Sequence, residues 1–176
     1  LRGDERLIWE GRPDARAYVL RGAWYLVPFS LMWGGFAIFW EYTALRSGAP
    51  PFFVLWGIPF VAIGLYMIVG RPLGARHEAQ RTVYALTDRR VLIIGGAFGR
   101  SIVELDLRDL PPSQLDERSD GIGTITFGGI AGAFRAPPGW PTMGMSGRTP
   151  AFVSIPDARR VYALLQDARE VARDQR

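Results

Sequence analysis

The sequence predicts a transmembrane α-helical hairpin followed by a mainly-β barrel closed by one C-terminal helix. Three observations predict it. Two runs of 19 residues, Gly22–Trp40 and Phe52–Gly70, hold no charged side chain. From Thr82 onward apolar residues recur at every second position, the period of a half-buried strand. After Pro156 the period changes again, to that of a helix.

Taken in order, residues 1–21 form an N-terminal segment with five arginines, Arg2, Arg6, Arg12, Arg16 and Arg21. The chain opens on Leu, so the native start is expected upstream. Leu7, Ile8 and Trp9 are expected to pack on the chain's own domain, with a groove between subunits as the other reading. Residues 22–70 form the hairpin. A 19-residue helix is about 28 Å long, close to the ~30 Å hydrocarbon core. A signal peptide fits the first run poorly, because twenty polar-rich residues precede it and no A-x-A site follows. Two buried soluble-core helices are the competing reading; two such runs in 176 residues favour spanning. Pro28 and Pro59 fall inside the runs, and no ionisable group does, which argues against a proton relay or ion path.

The eleven-residue link Glu41–Pro51 allows only an antiparallel pair and holds one arginine, Arg46. Arg71, Arg76, Arg81, Arg89 and Arg90 follow the second run. Five basic residues, then one, then five place both termini in the cytoplasm by the positive-inside rule. Residues 71–176 are the cytoplasmic domain. Thr82–Leu86 and Arg90–Ile94 are two strands around a Thr87–Arg89 turn. Val103, Leu105 and Leu107 alternate with Glu104, Asp106 and Arg108 in a third. Gln114–Glu117, Gly123–Phe127 and Ala151–Ile155 are the remaining strands. Val161, Leu164, Leu165, Ala168, Val171 and Ala172 then share one helical stripe over 157–172, with mixed charges on the other side. That polar face favours packing on a sheet over lying on a membrane.

Recognisable catalytic or metal chemistry is sparse. There is no Cys and a single His, His77, so neither a thiolate nor a typical zinc site is expected. "GMSGR" is not a nucleophile elbow, and "GIGTITFGG" lacks the Lys-Ser/Thr of a P-loop. No cofactor is expected, and no nucleic acid, since no basic stripe with interleaved aromatics is present. All 21 basic residues are Arg, which fits a GC-rich genome better than Arg-specific recognition.

"GDERLIWEGRP" before the apolar runs, then "YALTDRRVLIIGG", "DGIGTITF" and "FVSIPDARRVYALLQDA", resemble the bacterial PH-domain membrane proteins. The resemblance covers nearly the whole chain. It implies a PH-like β-domain, capped by a helix and held at the inner membrane surface. The family's biochemical role is largely unassigned, so the resemblance implies fold more than function. Its one departure is Gly128–Pro150, which is longer and richer in Gly and Pro. That loop holds Phe134, Trp140, Met143 and Met145, candidates for contact with a partner or for folding back over the barrel. Arg71, Arg76, Arg81, Arg89, Arg90 and Arg100 are candidates for anionic headgroups, although topogenic charge and salt bridges to Asp88 and its neighbours explain them more simply. In eukaryotic PH domains a basic first hairpin binds phosphoinositides; most bacteria lack those lipids, so that role is not carried over. The expected function is a non-enzymatic inner-membrane protein whose PH-like domain associates with itself or with a larger membrane complex. A module reading anionic membrane lipids is the alternative.

Overall fold

In the computed structural model, which describes residues 5–21, 23–95, 101–128 and 149–174, the helical hairpin interrupts the β-domain. Strand β1 (Leu7–Gly11) and a short helix α1 (Ala15–Leu20) come first. Two antiparallel helices follow, α2 (Ala23–Arg46) and α3 (Pro51–Leu65). The chain continues without a break through a π-helical turn, Tyr66–Gly70, into α4 (Arg71–Arg81). Strands β2 (Val83–Thr87), β3 (Arg90–Gly95), β4 (Ser101–Asp106), β5 (Ser113–Glu117), β6 (Gly123–Phe127) and β7 (Ala151–Ile155) precede the closing helix α5 (Ala158–Asp174).

The helices outrun the uncharged stretches that predict them. Helix α2 has 24 residues and ends only at Arg46, so Ser47–Pro50 is the whole link. Gly48 turns it at φ 66°, and Pro51 opens α3 where no N–H partner is needed. Glu41, expected in the link, therefore lies within α2. Its carboxylate packs against Gly57 of α3, where a Cβ would overlap Oε2. Higher up the same interface Gly34 and Gly64 meet: a Cβ on Gly64 would stand 2.8 Å from the Gly34 Cα. The second helix continues past Gly70 to Arg81, about 46 Å from Pro51 at 1.5 Å per residue. The π turn has a local cause. Pro72 has no N–H to give to Ile68 and its ring crowds that carbonyl, so the helix widens and Arg71 N–H bonds to Tyr66 instead. Pro51–Arg81 is long and apolar enough to cross a membrane, and it is the one such helix found among the described residues. Most large apolar side chains of α2 and α3 face outward, Phe39 at 66% exposure and Leu55 at 69%.

The expected barrel is two sheets. Hydrogen bonds order β1-β2-β3-β4 in one and β5-β6-β7 in the other, every pair antiparallel. Pro111 and Pro112 lie in the connection between β4 and β5, where the chain passes from one sheet to the other. The core lies between the sheets: Tyr84, Leu86 and Val91 from one, Ile125, Phe127, Phe152 and Ile155 from the other. Phe152 is its centre, fully buried, with ring centroids 4.9 Å from Tyr84, 5.3 Å from Phe127 and 5.4 Å from Trp9. Trp9 comes from β1, so the segment before the hairpin is the edge strand of the first sheet.

Helix α5 seals the core with Ala158, Val161, Leu165, Ala168 and Ala172. It is pinned to β5 by Arg159–Glu117 at 2.8 Å and by Tyr162 Oη donating to Ser113 O at 3.2 Å. Strand β7 is buried on both faces. Ala151 and Val153 pack on Tyr18 of α1 and on Ala75 and Ala79 of α4. Ser154 takes a left-handed backbone, φ 51°, which breaks the alternation and lets both Phe152 and Ile155 point inward.

Candidate functional site

Two regions bring charged side chains together. The first is the β2–β3 turn. Thr87, fully buried, accepts the backbone N–H groups of Arg89 (3.3 Å) and Arg90 (3.0 Å) on its hydroxyl, which closes the turn. The same hydroxyl donates to Glu5 Oε1 at 2.8 Å. Arg90 grips Glu5 with two bonds, Nε to Oε1 at 2.8 Å and Nη2 to Oε2 at 2.7 Å, and reaches Glu104 with Nη1 at 2.6 Å. The Glu5 side chain is 1% exposed. The hydrogen bonds to Glu5 raise the Arg90 pKa above its usual value, more than burial lowers it, and Glu104 adds to the rise. Asp88 accepts from Arg6 N–H at 3.0 Å. Glu5 and Arg6 before β1 and the "TDRR" turn are thus one clamp joining β1 to the β2–β3 hairpin.

This geometry sorts the six candidate headgroup arginines. Arg90 is neutralised by two carboxylates. Arg71 is buried at the foot of the hairpin, with Nη2 donating to Arg21 O at 3.2 Å. Arg100 lies outside the described residues. Arg76 and Arg81 are exposed on α4, five positions apart and so about 140° apart around its axis at 100° per residue. Arg89 is exposed in the turn, a strand's length of about 17 Å from the point where α4 delivers the chain to β2. Arg76 and Arg81 are thus exposed on α4 and Arg89 in the β2–β3 turn. Phe134, Trp140, Met143 and Met145, the candidate partner contacts, also lie outside the described residues.

The second region is a cleft of about 200 Å³ at the foot of the helical hairpin. Arg21 at the end of α1, Asp116 and Arg118 of the β5–β6 hairpin, Thr124 of β6 and Ser154 of β7 line it. Arg21 Nη1 donates to Thr124 Oγ1 over a long 3.4 Å, and Thr124 Oγ1 also accepts Ser154 N–H at 3.2 Å. Among the described residues no carboxylate pairs with Arg21. Arg118 has only an exposed contact with Asp120, 3.4 Å away, of the kind worth little in water. Leu20, half exposed, sits on the rim. In the sequence Arg21 reads only as topogenic charge, and no motif marks Arg118, Thr124 or Ser154. The available signal was the position of Arg21, the last charge before the first apolar run; its cleft partners lie about a hundred residues further on. Among the described residues no group of three or more His, Asp or Glu is placed to hold a metal ion.

A family model described as bacterial PH domain matches residues 27–169, from within α2 to within α5, with β1 and α1 outside it. No curated protein and no solved structure matches the chain.

Proposed function

The chain belongs to the bacterial PH-domain family, and on that premise we propose that it is a non-enzymatic protein of the bacterial inner membrane. Two spans carry it, with both termini cytoplasmic, and its PH-like domain associates with protein, either a second copy or a larger membrane assembly in which it is an accessory subunit or scaffold. PH domains are generally non-catalytic interaction modules. The observation that supports this reading is the helix Pro51–Arg81. Its first half is apolar and outward-facing, and its second half buries Ala75 and Ala79 against Tyr18, Ala151 and Val153 of the β-domain. One rigid rod therefore fixes the pose of the domain at the membrane. A fixed pose suits a partner that is itself fixed there.

The chain has no Cys, so single introduced thiols report topology without interference. Ser47→Cys should react with a membrane-impermeant maleimide in intact spheroplasts, and Arg176→Cys only after lysis. The opposite pattern would exclude cytoplasmic termini. Association is tested by the intact mass of the full chain in mild detergent, expected to exceed that of one copy. Changing Phe134 and Trp140 together to Ala should weaken the assembly about thirtyfold, the equivalent of the ~2 kcal/mol that a central aromatic anchor contributes. A single-copy mass for the unaltered chain would overturn the association.

A further inference from the structure

We propose that the cleft at the foot of the hairpin is a binding site for the headgroup of an anionic phospholipid, a phosphodiester that carries hydroxyl groups. Its wall holds two guanidinium groups, those of Arg21 and Arg118, and among the described residues neither has a strong carboxylate partner. A guanidinium is matched in shape and charge to two phosphate oxygens. The long bond from Arg21 to Thr124 leaves most of its five N–H donors uncommitted among the described residues. Ser154 adds a hydroxyl held at a left-handed backbone position, and among the described residues that hydroxyl makes no hydrogen bond.

Asp116 decides which phosphate fits. A carboxylate on the same wall repels a bare phosphate dianion. It accepts hydrogen bonds from the hydroxyls of a polyol esterified to a singly charged phosphodiester. The volume, about 200 Å³, lies below the roughly 300–1,000 Å³ of clefts that enclose a drug-sized ligand, so a headgroup enters and its chains remain outside. The place agrees. Arg21 stands two residues before α2, and its carbonyl is bonded to Arg71 of the other helix, so the cleft opens where both helices leave the apolar layer. Leu20 on the rim offers an apolar contact beside the charge. The two-span reading supplies only the direction in which the cleft faces; binding can be measured without it.

The test uses the full chain in a neutral detergent, titrated with short-chain phosphatidylglycerol, short-chain phosphatidylcholine and inorganic phosphate. Phosphatidylglycerol should bind at least about tenfold more tightly than either of the others, a preference equal to roughly 1.4 kcal/mol. Arg21→Gln and, separately, Arg118→Gln should each weaken that binding about tenfold. Arg118 is exposed, so its variant keeps the test open even if Arg21→Gln disturbs the foot of the hairpin. Arg76→Gln, an exposed arginine outside the cleft, should leave binding unchanged. Equal loss in all three variants would mean general charge attraction and overturn the site. Phosphate binding as tightly as the lipid would overturn the headgroup assignment. Retained binding in both cleft variants would overturn the proposal outright. A chain that binds lipid as described yet has the mass of one copy would remove the association reading and leave this one standing.

Discussion

Phe152→Ala is expected to destabilise the β-domain by about 3–5 kcal/mol, the range for removing a buried aromatic ring from a packed core. The ring is fully buried and touches Trp9, Tyr84 and Phe127, which come from three different strands, so no single neighbour can move in to fill the space. Denaturant unfolding of the full chain, followed by near-ultraviolet circular dichroism in detergent, reads the loss directly. Ile102→Ala is the control, because Ile102 is about half exposed on β4. If the two variants unfold at the same denaturant concentration, Phe152 does not sit at the junction of the two sheets.

Arg90→Ala should have an effect of similar size for a different reason. It leaves the Glu5 carboxylate, 1% exposed, without the two charge-assisted hydrogen bonds that Arg90 gives it. Removing one member of a buried ion pair typically costs about 3–5 kcal/mol, most of it from the stranded charge. Replacing both partners, Glu5→Leu with Arg90→Met, should recover much of that loss, since the apolar pair strands nothing. The quantity to measure is the coupling energy from the four unfolding midpoints. Additive effects of the two single changes would show that the clamp is not one unit.

Strand β4 was legible because it has one wet face. Val103, Leu105 and Leu107 alternate with charges, and that alternation is the exposure pattern of β4. The stripe on α5 was legible at helical period for Val161, Leu165, Ala168 and Ala172, but Leu164 is only partly buried and Val171, expected on the same stripe, is exposed. What sequence order hides is pairing across distance. Asp88 looks like the partner of Arg90 because it is close to it in sequence. A two-residue turn points that carboxylate elsewhere, and Arg90 is satisfied by Glu5, 85 positions away. The cleft was hidden likewise, because it assembles from α1, β5, β6 and β7. The helix ends were misjudged for a third reason: charge marks where an apolar layer ends, not where hydrogen bonding ends. Helix α2 continues through Glu41 to Arg46, and the second helix through Arg71 to Arg81.

The placement of the hairpin between β1 and β2 also sets the order in which the domain can be completed during synthesis. Leu7 must find Thr87, and everything between them emerges from the ribosome first. As loose chain, that stretch makes closing the edge strand onto the sheet entropically expensive. Once its two helices have formed and paired, the ends of the loop are already neighbours. Shortening the flexible connection about tenfold lowers the closure cost by roughly 2 kcal/mol. Strand β1 is made first but joins late, and its arrival buries Trp9 and clamps Glu5 to Arg90. A nascent chain whose helices fail to pair would carry only β2, β3 and β4 of that sheet, with β2 left as an open edge.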